Sequence, residues 1–276
     1  MDYEKEKAKM IEEAEKSLIT IDGVIYDKRF NDLVSYPKSK EKEEFVVPDG
    51  TVSIRENAFL EVENLKTVTM TDSVVRLCNH AFKKSSVESV VLSDNIEVIG
   101  EGAFESCKEL TEINIPKSID EICNNAFSWC EKLKEISLPR GLDRIGAGAF
   151  SFCASIERVH IPETVYEIGN NAFSGCKSLK VAVIPESVKK VANYMFSNCY
   201  SLETVDIYDG VTEIGSFAFA DCTALTDIKI PKSVTVIGYG AFAGCTNLKY
   251  VKVPKDKNYD TKWTIDCPEK TRIIEY

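Results

Sequence analysis

Apolar residues along this chain fall into repeating columns, and the clearest column is aromatic. Phe59, Phe82, Phe104, Phe127, Phe150, Phe173, Phe196, Phe219 and Phe242 follow one another at intervals of twenty-three residues, with one interval of twenty-two between Phe82 and Phe104. A fixed period of about twenty to fifty residues marks a stacked architecture, because each unit can bury its apolar side only against its neighbours. Six residues after the phenylalanine stands an aliphatic residue, as in Leu110, Leu133, Ile156 and Leu179. Nine and eleven residues after it come two more apolar columns, such as Ile113 with Ile115 and Ile228 with Ile230. That alternation is the period of a strand with one face inward. Proline follows in six copies, Pro116, Pro139, Pro162, Pro185, Pro231 and Pro254, and proline lacks the donor that would extend a ladder. Each strand is predicted to end there.

The other half of each copy reads Val-x-x-Ile-Gly-x-x-Ala-Phe, as in Val165, Ile168, Gly169, Ala172 and Phe173. Glycine in this column suits a tight corner that needs positive φ or close backbone approach. The pattern leaves no room for a long helix. Alanine lets the chain pass close over the core while phenylalanine fills it, so the rings are expected to stack along the axis.

These columns resemble the BspA-like branch of the leucine-rich repeat proteins. The stretch from Ala218 to Phe242 carries the match through Cys222, Leu225, Ile228, Ile230, Pro231, Ser233, Val234, Ile237, Gly238 and Ala241. The resemblance covers residues from about 45 to 254. It implies an α/β-type leucine-rich repeat solenoid, strand-dominated, with one continuous parallel β-sheet and little helix in the repeats. It also implies binding or adhesion, since many relatives are secreted or lie on the bacterial cell surface. Departures are local: Ser85 and Val62 stand where cysteine is expected, Met195 replaces alanine and Tyr208 replaces proline.

Four parts follow from the pattern: a charged N-terminal helix over 1–18, a hairpin cap over 19–44, a solenoid over 45–254 of nine repeats plus a partial first strand, and a C-terminal cap over 255–276. In the first part Ile11, Ala14 and Leu18 share one helical face, and Glu12 pairs with Lys16. Strand-like runs at Val24 to Tyr26 and Leu33 to Ser35 predict the hairpin. In the last part Trp263, Ile265, Ile273 and Ile274 are expected to close the final coil.

The net charge of -10 without a basic patch disfavours nucleic acid and anionic membrane surfaces as partners. No apolar run reaches the roughly eighteen residues of a membrane span. The start Met1-Asp2-Tyr3-Glu4 lacks the order of a secretory signal. Of ten cysteines, Cys107, Cys130, Cys153, Cys176, Cys199, Cys222 and Cys245 share one column, three residues after the phenylalanine. An odd set in one column, with Val62 serving the same place, points to buried free thiols and thus a reducing compartment. A cytoplasmic location is expected, with the cell surface as the alternative that the resemblance implies.

Catalytic and cofactor motifs are absent: there is no Cys-x-x-Cys, no Gly-x-Ser-x-Gly and no phosphate loop, and His80 and His160 lie more than three coils apart. The chain is expected not to be an enzyme and to hold no cofactor or metal. Glu112 and Glu135 share a column and could meet at one strand spacing, but a solvated face accounts for them first.

Function is sought where the repeat is broken. The outward strand positions, eight and ten residues after the phenylalanine, change from copy to copy. Val181 and Val183 place two apolar residues there, flanked by Arg158 and His160 on one side and Thr204 and Asp206 on the other, the makings of an apolar centre with a polar rim. Drift on a free surface gives the same variation. Two aromatic pairs, Trp129 with Phe152 and Tyr194 with Phe217, occupy matching columns of adjacent coils. They suit packing between coils, a protein partner or the flat face of a sugar. The expected function is a monomeric, non-catalytic scaffold for protein-protein interaction or adhesion. The alternatives are an intracellular structural or regulatory spacer and, more distantly, a glycan-binding module.

Overall fold

A computed structural model describes residues 6–7, 16–29, 31–255, 257 and 259–276. The chain winds into a strand-dominated solenoid of about ten turns. Each coil has three sides, and each side is stabilised by bonds to the coils above and below.

The first side is the strand predicted before the proline column. Glu44–Val46, Thr67–Thr69, Ser89–Val91 and Glu112–Ile113 pair in parallel, so that Phe45, Val68, Val90 and Ile113 fall in one inward column. Further along, Val181–Ile184 pairs with Thr204–Ile207, and Asp227–Lys229 pairs with Tyr250–Val253, which pairs in turn with Arg272–Glu275. The expected parallel sheet is present with two interruptions. Between Ile113 and the single bridges Glu135↔Arg158↔Val181 the ladder opens, and at the opening the Asn114 side chain accepts from the Leu92 amide and donates to the Leu92 carbonyl. The second opening follows Ile207, where Tyr208 replaces proline and the chain makes an Asp209↔Val211 bridge around Gly210 at φ 133°.

The second side is a ladder of two-residue strands formed by the Val-x-x-Ile segment, including Ser53–Ile54, Arg76–Leu77, Val98–Ile99, Arg144–Ile145 and Ile214-bearing Glu213–Ile214. Its isoleucines point inward, and Ile54, Ile99 and Ile214 are wholly buried. The glycines that follow are there for close approach: a Cβ on Gly169 would lie 2.4 Å from the amide nitrogen of Ala147, and none of this column has positive φ.

Positive φ belongs to the third side, a stack of turns. Residues two before and two after each phenylalanine take left-handed backbone, among them Asn125 (φ 53°), Trp129 (φ 62°), Phe152 (φ 59°), Tyr194 (φ 57°) and Phe217 (φ 55°). This lets alternate amides face different partners. Asn125, Phe127 and Trp129 donate to Ala147, Ala149 and Ser151 of the next coil, while Ala126, Ser128 and Cys130 donate back to Cys123, Asn125 and Phe127 to close tight turns. Buried backbone donors must be paired, and the alternation satisfies both sets.

All nine phenylalanines are wholly buried and stack in one file, with centroids 4.4 to 5.7 Å apart and ring planes within 12°. Tyr36 heads the file, stacked on Phe59 at 5.2 Å, and Trp263 closes it edge-on to Phe242 at 5.9 Å. Ile273 and Ile274, expected to close the last coil, are instead 53% and 40% exposed on the edge strand Arg272–Glu275. The buried Trp263 covers the end of the file in their place.

At the other end Leu18–Ile21, Val24–Asp27 and Asp32–Ser35 form an antiparallel meander whose last strand pairs in parallel with Ser53–Ile54. Asp27 is buried there and accepts from Arg29 and Arg55. The helix expected over 1–18 lies largely outside the described residues, and Leu18 itself belongs to a strand.

The ten cysteines are unpaired, and the seven column thiols are wholly buried. Each donates to the carbonyl of a phenylalanine one coil back: Cys130 to Phe104 at 3.2 Å, Cys153 to Phe127 at 3.0 Å, Cys245 to Phe219 at 3.0 Å. That carbonyl already accepts a turn amide, so the thiol occupies its second lone pair without introducing a group that needs water. Burial pushes the Cys107 and Cys176 thiols up to about 12. Cys267, which the period alone left outside the column, sits where the column would continue, 3.8 Å from the Phe242 carbonyl.

Candidate interaction surface

The outward side chains of the strand side are positioned by a backbone whose intervening residues are core. Val159, Ala182 and Val205 are buried, and the residues between them necessarily point away. Arg158, His160, Thr204 and Asp206 are exposed, and Val181 is 37% exposed. Val183 is half-buried, so the apolar centre expected from two valines is mainly one. The register places Arg158 beside Val181, Val181 beside Thr204, and Val183 beside Asp206. Arg158, Val181 and Thr204 thus form one row across three coils. Below them the Lys180 to Glu157 ion pair, at 3.1 Å, ties the neighbouring coils on the same rim.

Two concavities border this row. A groove of about 1020 Å³ runs along the proline edge where the ladder is open, lined by Leu138, Pro139, His160, Pro162 and Arg140. A smaller cleft of about 370 Å³ lies at the second opening, lined by Asp206, Tyr208, Asp209, Lys229 and Tyr276. There the Lys229 ammonium lies over the Tyr276 ring at 4.7 Å. Burial, with a smaller push from the Asp209 carboxylate, raises the Tyr276 hydroxyl above its ordinary value. Sequence reasoning missed this cleft, although the replacement of proline by Tyr208 marks its position.

The aromatic pairs are on the turn side, away from the strand row. Trp129 and Phe152 stack at 4.0 Å with planes 10° apart, and Tyr194 and Phe217 stack at 5.1 Å and 11°. Trp129 and Tyr194 are exposed, while Phe152 and Phe217 are half-buried. Tyr239 meets Phe217 edge-on at 5.4 Å. Among the described residues no cluster of three or more His, Cys, Asp or Glu side chains could hold a metal ion, and Glu112 and Glu135 are both exposed. His80 faces Glu105 at 3.7 Å on the turn side, far from His160. No helix among the described residues is long and apolar enough to cross a membrane.

The model of the BspA type leucine rich repeat region matches residues 35–157 and 143–263, most of the chain. The chain belongs to this family. A leucine rich cell surface protein from Faecalibacterium prausnitzii is similar in fold, with a TM-score of 0.50 at 23% identity, covering 94% of each chain. The leucine rich repeat protein of T. pallidum is similar at 25% identity and TM-score 0.50, covering 84% of this chain and 86% of its own. The pneumococcal vaccine antigen PcpA is similar at 14% identity and TM-score 0.52, over 86% and 81% of the two chains. No curated protein matches the chain in sequence. The first and third of these likenesses show the shared fold alone.

Proposed function

We propose that this BspA-type protein is a non-catalytic binding scaffold that holds a protein partner on the outward strand row centred on Val181. One observation carries this reading: Arg158, Val181 and Thr204 stand in one row on rigid backbone, an exposed apolar residue between polar ones, while every flanking inward residue is core. Rigid presentation lowers the ordering cost of binding. The adjoining groove and cleft give the partner's side chains places to enter. The family supports the class of function, since leucine-rich repeat proteins generally mediate protein interactions. Adhesion is the finer form of the same reading.

The test is capture of partners from extracts and surfaces of the native host by wild type and by Val181→Asp, with half-buried Val183 left intact. A charge set in an apolar interface centre costs about 2 kcal/mol or more, so capture should fall roughly thirty-fold. Undiminished capture by a variant with wild-type circular dichroism would eliminate the row.

A further inference from the structure

On the turn side, left-handed backbone is required at fixed positions, and elsewhere these positions are filled by small or polar residues such as Ser106, Asn125, Gly175 and Asn198. Bulky aromatics are uncommon there and cost strain. Four of them occur in two pairs, and each pair ends on a glycine. The Phe152 ring lies 2.7 Å from where a Cβ on Gly175 would be, and the Phe217 ring lies equally close to that of Gly240. Each pair is therefore packed from the C-terminal side: glycine supports phenylalanine, which supports Trp129 or Tyr194. The opposite face of Trp129 looks back toward Ser106, the small residue of the same column in the preceding coil, and Trp129 remains 42% exposed.

We propose that the turn side carries a stacking site for a neutral pyranose ring on the free face of Trp129, with Tyr194 as a second platform of the same kind. An indole of roughly 250 Å² exposed to this degree offers on the order of 100 Å². A single sugar ring is of the matching size. Charge decides against an ionic ligand, because the surrounding charges are paired: Lys84 with Glu61 at 3.3 Å farther up the same column, Lys83 with Glu105 at 2.8 Å, and Lys108 with Glu131 at 2.9 Å. Ser106 adds a hydroxyl group on that side for a ring bearing hydroxyls. The two platforms are three coils apart and in different turn columns, Trp129 two residues after its phenylalanine and Tyr194 two before, so each takes a ring of its own. This site is on a different side of the coil from the strand row and stands or falls without it.

Tryptophan fluorescence is a suitable probe, since the only other tryptophan, Trp263, is 3% exposed in the core. Wild type is titrated with cellohexaose, maltoheptaose, mannohexaose and galactohexaose, and any binder is measured again by calorimetry. At least one should give a saturable change. Trp129→Ser, which installs the side chain that Ser106 shows the column accepts, should weaken calorimetric affinity roughly ten-fold or more, whereas Val181→Asp should leave it unchanged. Absence of a saturable response to all four sugars at millimolar concentration overturns the proposal, as does equal affinity in Trp129→Ser.

Discussion

Replacing Phe150 by alanine probes the aromatic file where it is most regular. Its ring is wholly buried and lies between Phe127 at 5.4 Å and Phe173 at 5.5 Å, with planes 1° and 9° from parallel. Truncating a buried phenylalanine costs about 3–5 kcal/mol, and stacked pairs contribute about 0.5–1.5 kcal/mol each beyond their buried area. Two stacks are lost at once, so a value near the upper end, about 5 kcal/mol, is expected. In a stacked repeat the loss falls on the interfaces with both neighbours. Equilibrium urea unfolding, followed by circular dichroism and by fluorescence, measures it. With a slope of roughly 3 kcal/mol/M the midpoint should drop by about 1.5 M. The two probes should also separate, because weakened central interfaces let the halves unfold in stages. Phe150→Leu, which keeps most of the volume but loses both stacks, should cost less than the alanine variant, about 1–3 kcal/mol. A loss below about 1 kcal/mol for Phe150→Ala would refute the idea that the file is a continuous core.

Three further outcomes follow from the same geometry. Under denaturing, nonreducing conditions all ten thiols should react with a chromogenic reagent, whereas in the folded protein only the half-buried Cys78, Cys123 and Cys267 should do so readily; rapid native reaction of the column thiols would contradict their burial. Gly169→Ala should cost about 2–3 kcal/mol because its Cβ would meet backbone at 2.4 Å, while Gly50→Ala, at φ +84° in open space, should cost only ~1 kcal/mol of backbone strain; equal losses would contradict the close-approach role. Hydrogen bonding from Arg29 holds the buried Asp27 carboxyl well below the usual range, despite the opposing effect of burial. Its folded-state value being depressed, its contribution is full above the unfolded value of about 4 and is lost as pH falls below that. Asp27→Asn should therefore lower the melting temperature at neutral pH and flatten its acid dependence; a parallel downward shift at every pH would argue against the ionised pair.

The period of the phenylalanines made the solenoid legible because burial in a stacked coil depends on register, and register is visible in one dimension. The strand before Pro116 or Pro185 was legible for the same reason. The two-residue strands such as Arg144–Ile145 were not, because two residues carry no alternation to detect. Tyr36 heads the file and lies twenty-three residues before Phe59, so the signal was present in the interval although the residue type had changed. Glycine at Gly169 left positive φ and close approach equally open, and only the neighbouring Ala147 backbone distinguishes them. The bond from each column thiol to a phenylalanine carbonyl joins side chain to main chain across coils and leaves no periodic trace beyond the cysteine itself. For the strand row, the exposure of Arg158 and Thr204 was legible from strand alternation. The partial burial of Val183 was not, since it depends on how the ladder opens on either side.

The measurement that bears most directly on the binding role replaces the outward row and leaves the core columns untouched. A variant with Arg158, His160, Val181, Thr204 and Asp206 all changed to serine should retain the wild-type urea midpoint and lose the partners that wild type recovers from the native host, as read by quantitative mass spectrometry. Recovery of the same partners in the same amounts by the folded variant would contradict the placement of binding on the outward strand face.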